Sequence, residues 1–304
     1  MRLLLASILL MLPANAGLAR SSTKSPSALD CPVVQGWNKV AQERPQFVVF
    51  GELHGTEQSP RFLSGLACSL AARGQHVLVA IEHGARNNPA LQAAWQLPSG
   101  KFEPALARLQ WAGQNDGRYS KAMFDLIVQL HVLKERGLPV SITAFNGPKD
   151  EAQARKFADL PGQGPHEARQ AENIADAANA TKPDITLVLV GNLHAARTPI
   201  EGRGPAYDPM ARRLAAYGKV VSLDMSYGSG TAWNCILRPE FKPAPGKPIP
   251  PDQIRCDAYP AEGNADFKGA PFIRLMSAES RKGQNDFDGL FWVGATSASP
   301  PKFR

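Results

Sequence analysis

Two apolar runs in this 304-residue chain end in the same four-residue pattern. Phe47-Val48-Val49-Phe50 leads into Gly51-Glu52-Leu53-His54, and Leu187-Val188-Leu189-Val190 leads into Gly191-Asn192-Leu193-His194. An unbroken β-branched and aromatic run reads as a strand buried on both faces, the kind found inside a parallel sheet. A glycine then lets the chain turn at the strand end, and a histidine follows just beyond it. With 26 Gly and 6 His in the chain, chance alone supplies about half a Gly-x-x-His match. The weight therefore lies in both copies following a buried-type strand, and the pair reads as two halves of one site.

Strand-like and helix-like runs alternate along the chain, which predicts an α/β fold: a mostly parallel sheet with helices on both faces. Strand 47–51 is followed by a helix over 60–73, with Phe62, Leu63, Leu66 and Leu70 on one stripe, and then by strand 77–82. Residues 89–112 read as helical with interruptions at Pro98 and Pro104, and a longer helix over 120–136 ends at Gly137. Strand 139–145, an Ala-rich polar helix over 165–181, strand 185–190, a helix over 208–217 and strand 219–224 complete the alternation. From about residue 239 prolines accumulate and periodicity fades, so 239–285 is expected to be irregular, with a last strand over 287–296. Residues 31–304 are expected to form one domain.

The first 16 residues read as a signal peptide. A basic start at Arg2, an apolar stretch from Leu3 to Leu12 and Ala14-Asn15-Ala16 match the charged, hydrophobic and cleavage regions. The stretch is too short to span a bilayer, and nothing later is apolar for long enough. Cleavage is expected after Ala16, or alternatively after Ala19, leaving a mobile Ser/Ala-rich linker over 17–30. The mature protein is expected to be periplasmic or secreted. In that oxidising setting Cys235–Cys256 would close a loop in the Pro-rich region, and Cys31–Cys68 would tie the N-terminal segment to the first helix. Cys68 could equally be a small buried apolar residue. The net charge of +7 falls to +6 without Arg2, and the basic residues form no run interleaved with aromatics, so no nucleic-acid partner is expected.

Ligand sites in open parallel sheets gather beyond the carboxyl ends of the strands. Glu52 and His54, Glu82 and His83, Asn146, Asn192 and His194, and Asp224 all fall at such positions. The catalytic candidates are Glu52, His54, Glu82 and His194. The same four could ligate a divalent Zn, Mn, Co or Fe ion, which accepts mixed nitrogen and oxygen donors and would acidify a bound water. Alternatively a Glu/His pair activates water directly and a second His protonates the leaving group. His83 is expected on the opposite face of the strand from Glu82, and Asn146, Asn192 and Asp224 are secondary candidates. His76, His131 and His166 receive no role.

This arrangement resembles the broad superfamily that contains the Tiki/TraB proteins, the erythromycin esterases and the ChaN haem-binding proteins, and is nearest to the ChaN-like branch. The resemblance rests on Gly51–His54, Gly191–His194 and Glu82, over roughly residues 45–225 and the final strand. Gly51-Glu52 is similar to the Gly-Glu-x-His form of the esterase and ChaN branches, and Arg169-Gln170-Ala171-Glu172-Asn173 is similar to an Arg/Glu-Asn helix of the esterases. It implies an EreA/ChaN-like fold with the site at one end of the sheet, and activities that diverge between metal-dependent proteolysis, ester hydrolysis and haem binding. In this chain it implies His54 as base or ligand, Glu82 as its orienting or ligating partner, and His194 as the partner across the site. Asn192 stands where the first motif has Glu52, which argues for one reactive centre with both carboxylates on the first side.

Three functions follow as expectations. One is an exported hydrolase of an ester or peptide bond acting on a small-molecule or peptide substrate. A second is a haem- or metal-binding protein of the uptake kind, with Tyr207 or Tyr227 as possible axial ligands. The third is a binding scaffold without turnover.

Overall fold

A computed structural model describes residues 31–303 except 110, 112–113, 203, 243–248, 278 and 280–285. The expected signal peptide and linker lie outside the described residues, as do parts of the Pro-rich segment. In chain order the elements are α1 (Trp37–Gln42), β1 (Phe47–Glu52), α2 (Gln58–Ala71), β2 (Val77–Gly84), α3 (Asn88–Trp95), α4 (Ser99–Ala107), α5 (Lys121–Glu135) and β3 (Val140–Asn146). There follow α6 (Glu151–Lys156), α7 (Gly164–Thr181), β4 (Ile185–Gly191), α8 (Asn192–Ala195), α9 (Met210–Leu214), β5 (Val220–Gly228), β6 (Gly230–Leu237), β7 (Ile254–Ala261), β8 (Phe272–Leu275) and β9 (Gly289–Ala295).

Seven strands form one sheet in the order β3-β2-β4-β1-β5-β9-β8, parallel except for the β8–β9 pair. Every residue of β1 and β4 is buried, as their unbroken apolar sequences require. One face of the sheet packs Phe47, Val49, Leu78, Val188 and Val190 against Ile174 and the alanines of α7, with Met210 and Leu214 of α9. On the other, α2 packs against α5 and the sheet, with Phe62 5.3–6.0 Å from the rings of Phe291 and Phe50. The α/β architecture with helices on both faces is therefore as expected.

The topology positions the site. The chain leaves β1, builds β2 and β3 to one side, and then returns to insert β4 between β2 and β1. The residues that end β1, β2 and β4 thus come from three adjacent strands, with Glu52 opposite Gly191 in the register.

Several boundaries differ from expectation. The helix expected over 208–217 is only the five residues of α9, and β5 continues to Gly228, so Asp224 lies within the strand opposite Gly51 rather than at its end. Pro98 separates α3 from α4, but Pro104 sits inside α4. The segment expected to be irregular from residue 239 contributes β7, which pairs antiparallel with β6 as a separate two-stranded sheet, and β8. Most β7 side chains are exposed or half-buried, so the strand carries no apolar period to read. Both expected disulfides are present: Cys31–Cys68, and Cys235–Cys256, whose cysteines face each other in the β6–β7 register.

Neither motif glycine serves as a turn residue. Gly191 has φ −55°, and a Cβ there would stand 2.9 Å from His54 Nε2. A Cβ on Gly51 would stand 2.7 Å from Ala195 Cβ and 3.0 Å from Asn192 Cα. Both are glycine because another part of the site approaches too closely for a side chain.

Candidate functional site

His54 is held between two carboxylates. Its Nδ1 is 2.8 Å from Glu52 Oε1, and its Nε2 is 3.3 Å from Glu82 Oε2. Both carboxylates are buried while the His54 side chain keeps a quarter of its surface exposed. Glu52 is fixed in turn by the Ser59 hydroxyl at the start of α2, and Glu82 Oε2 accepts the Gly191 N–H at 2.9 Å. Burial alone would disfavour the imidazolium, but the Glu82 charge and the hydrogen bonds the ring donates to both carboxylates outweigh it and push His54 up to about 10. For Glu82 burial acts upward, yet His54 and then His194 hold it well below the ordinary carboxylate range. The setting favours a doubly bridged imidazolium.

His194 repeats the arrangement from the other side. Its Nδ1 lies 2.8 and 2.9 Å from the two oxygens of Glu167, and its Nε2 faces Glu82 Oε1 at 3.9 Å. Glu167 comes from the first turn of α7, is 1% exposed, and also accepts the Met210 N–H at 2.8 Å. Burial opposes the His194 imidazolium, and Glu167 and Glu82 overcome it, raising its pKa. The expected one-sided arrangement is therefore replaced by two Glu–His dyads meeting at Glu82. Glu167 does for His194 what Glu52 does for His54, and Asn192, exposed at the start of α8, does not.

Arg118 also faces Glu82, with Nη1 3.6 Å from Glu82 Oε1. Asp116 holds it through Nη2 at 2.8 Å and through its backbone N–H at 3.0 Å. The loop can lie there because residue 117 is glycine: a Cβ would meet Gly55 N at 2.4 Å and His54 C at 2.8 Å. From the β6–β7 hairpin, Trp233 donates its backbone N–H to Gly55 O at 2.9 Å and its indole N–H to Asn115 O at 2.7 Å. The hairpin thus braces the loops carrying His54 and Arg118.

Four predicted residues, Glu52, His54, Glu82 and His194, are brought together. His83 points away, as its alternation with Glu82 predicts. It stacks on Tyr119 with ring centres 4.6 Å apart and donates from Nε2 to Arg118 O, and burial lowers its pKa to about 4. Asp224 is pushed up to about 6 by burial, with a further contribution from Asp286 rather than from the histidines. Asn146 accepts from Gln170 at 3.0 Å. Tyr207 forms an isolated bridge with Ile200, and Tyr227 lies on β5 with Asp224 as its charged neighbour.

Glu167, Arg118, Asp116 and His166 were not among the sequence candidates. His166 flanks His194 with ring centres 5.6 Å apart, and Gln170 Nε2 donates to its Nε2 at 2.9 Å. Among the described residues, the three His and carboxylate side chains whose donor atoms all lie within 4.8 Å of one another are His166, Glu167 and His194. The predicted ligand set shares only His194 with that group.

Fold and site together define a parallel α/β protein with a buried-carboxylate, half-exposed-imidazole centre at the strand ends. No family model and no curated protein matches the chain. Among solved structures, a His-to-Asn variant of the erythromycin esterase EreC in its open conformation matches at TM-score 0.56 with 12% identity, covering 86% of this chain and 95% of that one. A succinoglycan biosynthesis protein matches at TM-score 0.57 with 13% identity, covering 88% and 92%. A cofacially haem-bound ChaN of Campylobacter jejuni matches at TM-score 0.38 with 12% identity, covering 64% and 86%. At these identities the likeness to the first two is one of fold, the α/β fold that the resemblance implied. Among the described residues no helix is long and apolar enough to cross a membrane.

Proposed function

We propose that this protein is an exported hydrolase of an ester or peptide bond, with His54 as general base. The observation that supports this most is the His54 setting: an imidazole anchored at Nδ1 by buried Glu52, with Nε2 against buried Glu82 and a quarter of the side chain exposed. Once Nε2 has lost its proton, His54 takes one from a water, whose oxygen adds to the substrate carbonyl carbon. The Arg118 guanidinium is placed to neutralise the oxyanion that forms. His194, whose protonated form Glu167 favours, returns a proton to the leaving oxygen or nitrogen. The products are a carboxylic acid and an alcohol or amine. The two disulfides suit an oxidising compartment, and the N-terminal 16 residues supply the export signal. A panel of chromogenic esters and peptides tests the reading: His54→Ala should abolish turnover of any substrate found while leaving the circular dichroism spectrum intact. Turnover unchanged in His54→Ala would remove the role.

A further inference from the structure

The hydrolytic scheme leaves His166 without a task. It precedes Glu167 on the first turn of α7, and together with Glu167 and His194 it places one donor atom per residue within a 4.8 Å span. Two imidazoles and a carboxylate around an open fourth position suit a tetrahedral zinc or cobalt(II) ion. The Glu167–His194 spacing is close to what such an ion needs. Donors about 2.1 Å from a tetrahedral metal stand about 3.4 Å from each other, and Glu167 already lies 2.8–2.9 Å from His194 Nδ1. That pair has to open by only about half an ångström, and the His166 ring has to swing inward.

A second observation is independent of the spacing. Gln170, one turn along α7, donates from Nε2 to both His166 Nε2 and Asn146 Oδ1, while its buried Oε1 has no hydrogen-bond partner. Turning the Gln170 amide over, and the Asn146 amide with it, would let that oxygen accept a proton held on His166 Nε2. His166 Nδ1 would then carry a lone pair, and the other ring nitrogen would be anchored as the ring nitrogens of metal-bound histidines are.

We propose that His166, Glu167 and His194 form a divalent-cation site for zinc or a similar borderline ion, offset from His54 on the α7 side of Glu82. The ion takes the place of the proton between Glu167 and His194 Nδ1. That proton leaves to solvent, and the remaining one sits on His194 Nε2, which faces Glu82 Oε1 at 3.9 Å. This set differs from His54, His194 and Glu82, the ligands that the strand-end motifs alone suggest.

The test is a titration of untagged, chelator-stripped protein with zinc by calorimetry and with cobalt(II) by visible absorption. One equivalent should bind. His166→Ala should weaken binding at least tenfold, His166→Gln serves if the alanine variant does not fold, and His54→Ala should retain it. No saturable binding to the folded wild type overturns the site. So does binding that survives loss of His166 but fails in His54→Ala, because the ion would then sit on the motif residues. Neither readout uses a substrate, so this outcome is separate from the hydrolysis test on His54→Ala.

Discussion

Replacing Glu82 by Gln should move the ionisation of His54 further than any other single change. The amide keeps the shape of the carboxylate and its oxygen can still accept the Gly191 N–H, now held at 2.9 Å. It removes the charge that faces His54 Nε2 at 3.3 Å, and with the oxygen kept toward Gly191 the new amide nitrogen takes the Oε1 position, facing His194 and Arg118. In the wild type the rise from 6.5 to about 10 corresponds to about 5 kcal/mol in favour of the imidazolium, the net of a burial penalty and the larger opposing effect of Glu82 and Glu52. Losing one close opposite charge lowers a pKa by about 1–3 units, more where hydrogen bonds go with it. His54 should therefore titrate about 2–3 units lower in Glu82→Gln, and the neutral fraction at pH 7.5 should rise roughly 100-fold. Long-range 15N–1H NMR of the imidazoles, with His54→Ala to assign the signal, reads this directly. The acidic limb of the hydrolytic pH profile should move with it. A wild-type His54 titrating near 6.5, or a Glu82→Gln variant in which it does not fall, would refute the electrostatic account of the site.

The same pair sets a pH dependence of stability. The folded pKa of His54 lies above its unfolded value, so its contribution is complete below about pH 6.5 and is lost as pH rises toward 10. Glu82 is held low, so its contribution is present above about pH 4.5 and is lost only in stronger acid. Urea denaturation from pH 6.5 to 9.5 should show stability declining in the wild type and a flatter curve in Glu82→Gln. Asp224→Asn should stabilise by about 2–3 kcal/mol at pH 8 and by nothing below pH 4, because burial raises its pKa to about 6 and penalises only the ionised form; equal melting temperatures at pH 8 would contradict this. Gly191→Ala should leave a folded protein with at least tenfold lower turnover, since its Cβ would stand 2.9 Å from His54 Nε2. Replacing Cys235 and Cys256 by Ser should cost about 3 kcal/mol in denaturation and lower turnover by loosening the loops that Trp233 holds.

The legible part of this molecule is what the strands write locally. Buried runs at 47–50 and 187–190 announce interior strands, and the polar residues that end them announce a site, because nothing in folding demands Glu or His there. What stayed hidden depends on pairings across distance. Glu167 meets His194 across 27 positions, from a helix whose polar composition reads as a solvated face. Its signal was present but ambiguous: Glu167, Gln170, Glu172 and Asn173 are all buried on α7, and a polar stripe at helical spacing looks the same whether it faces water or a site. Arg118 was invisible for another reason. It lies in a single 3-10 turn between α4 and α5, and the packing of Gly117 on His54 and of Trp233 on Gly55, with Asp116, brings it to Glu82.

The two glycines show how far a local reading can go before it needs the fold. As turn residues they would be interchangeable, each serving its own strand. In the structure each makes room for the other motif. Gly191 leaves space for the imidazole delivered by the first motif, and Gly51 leaves space for the backbone and Ala195 of the second. The exchange follows from topology, since β4 lies beside β1 and sets Glu52 opposite Gly191. A motif repeated across some 140 residues thus becomes one interlocked unit, in which each His is oriented by its own buried carboxylate and both face Glu82. The repeat is a statement about one site, and the side chain at its centre belongs to neither copy.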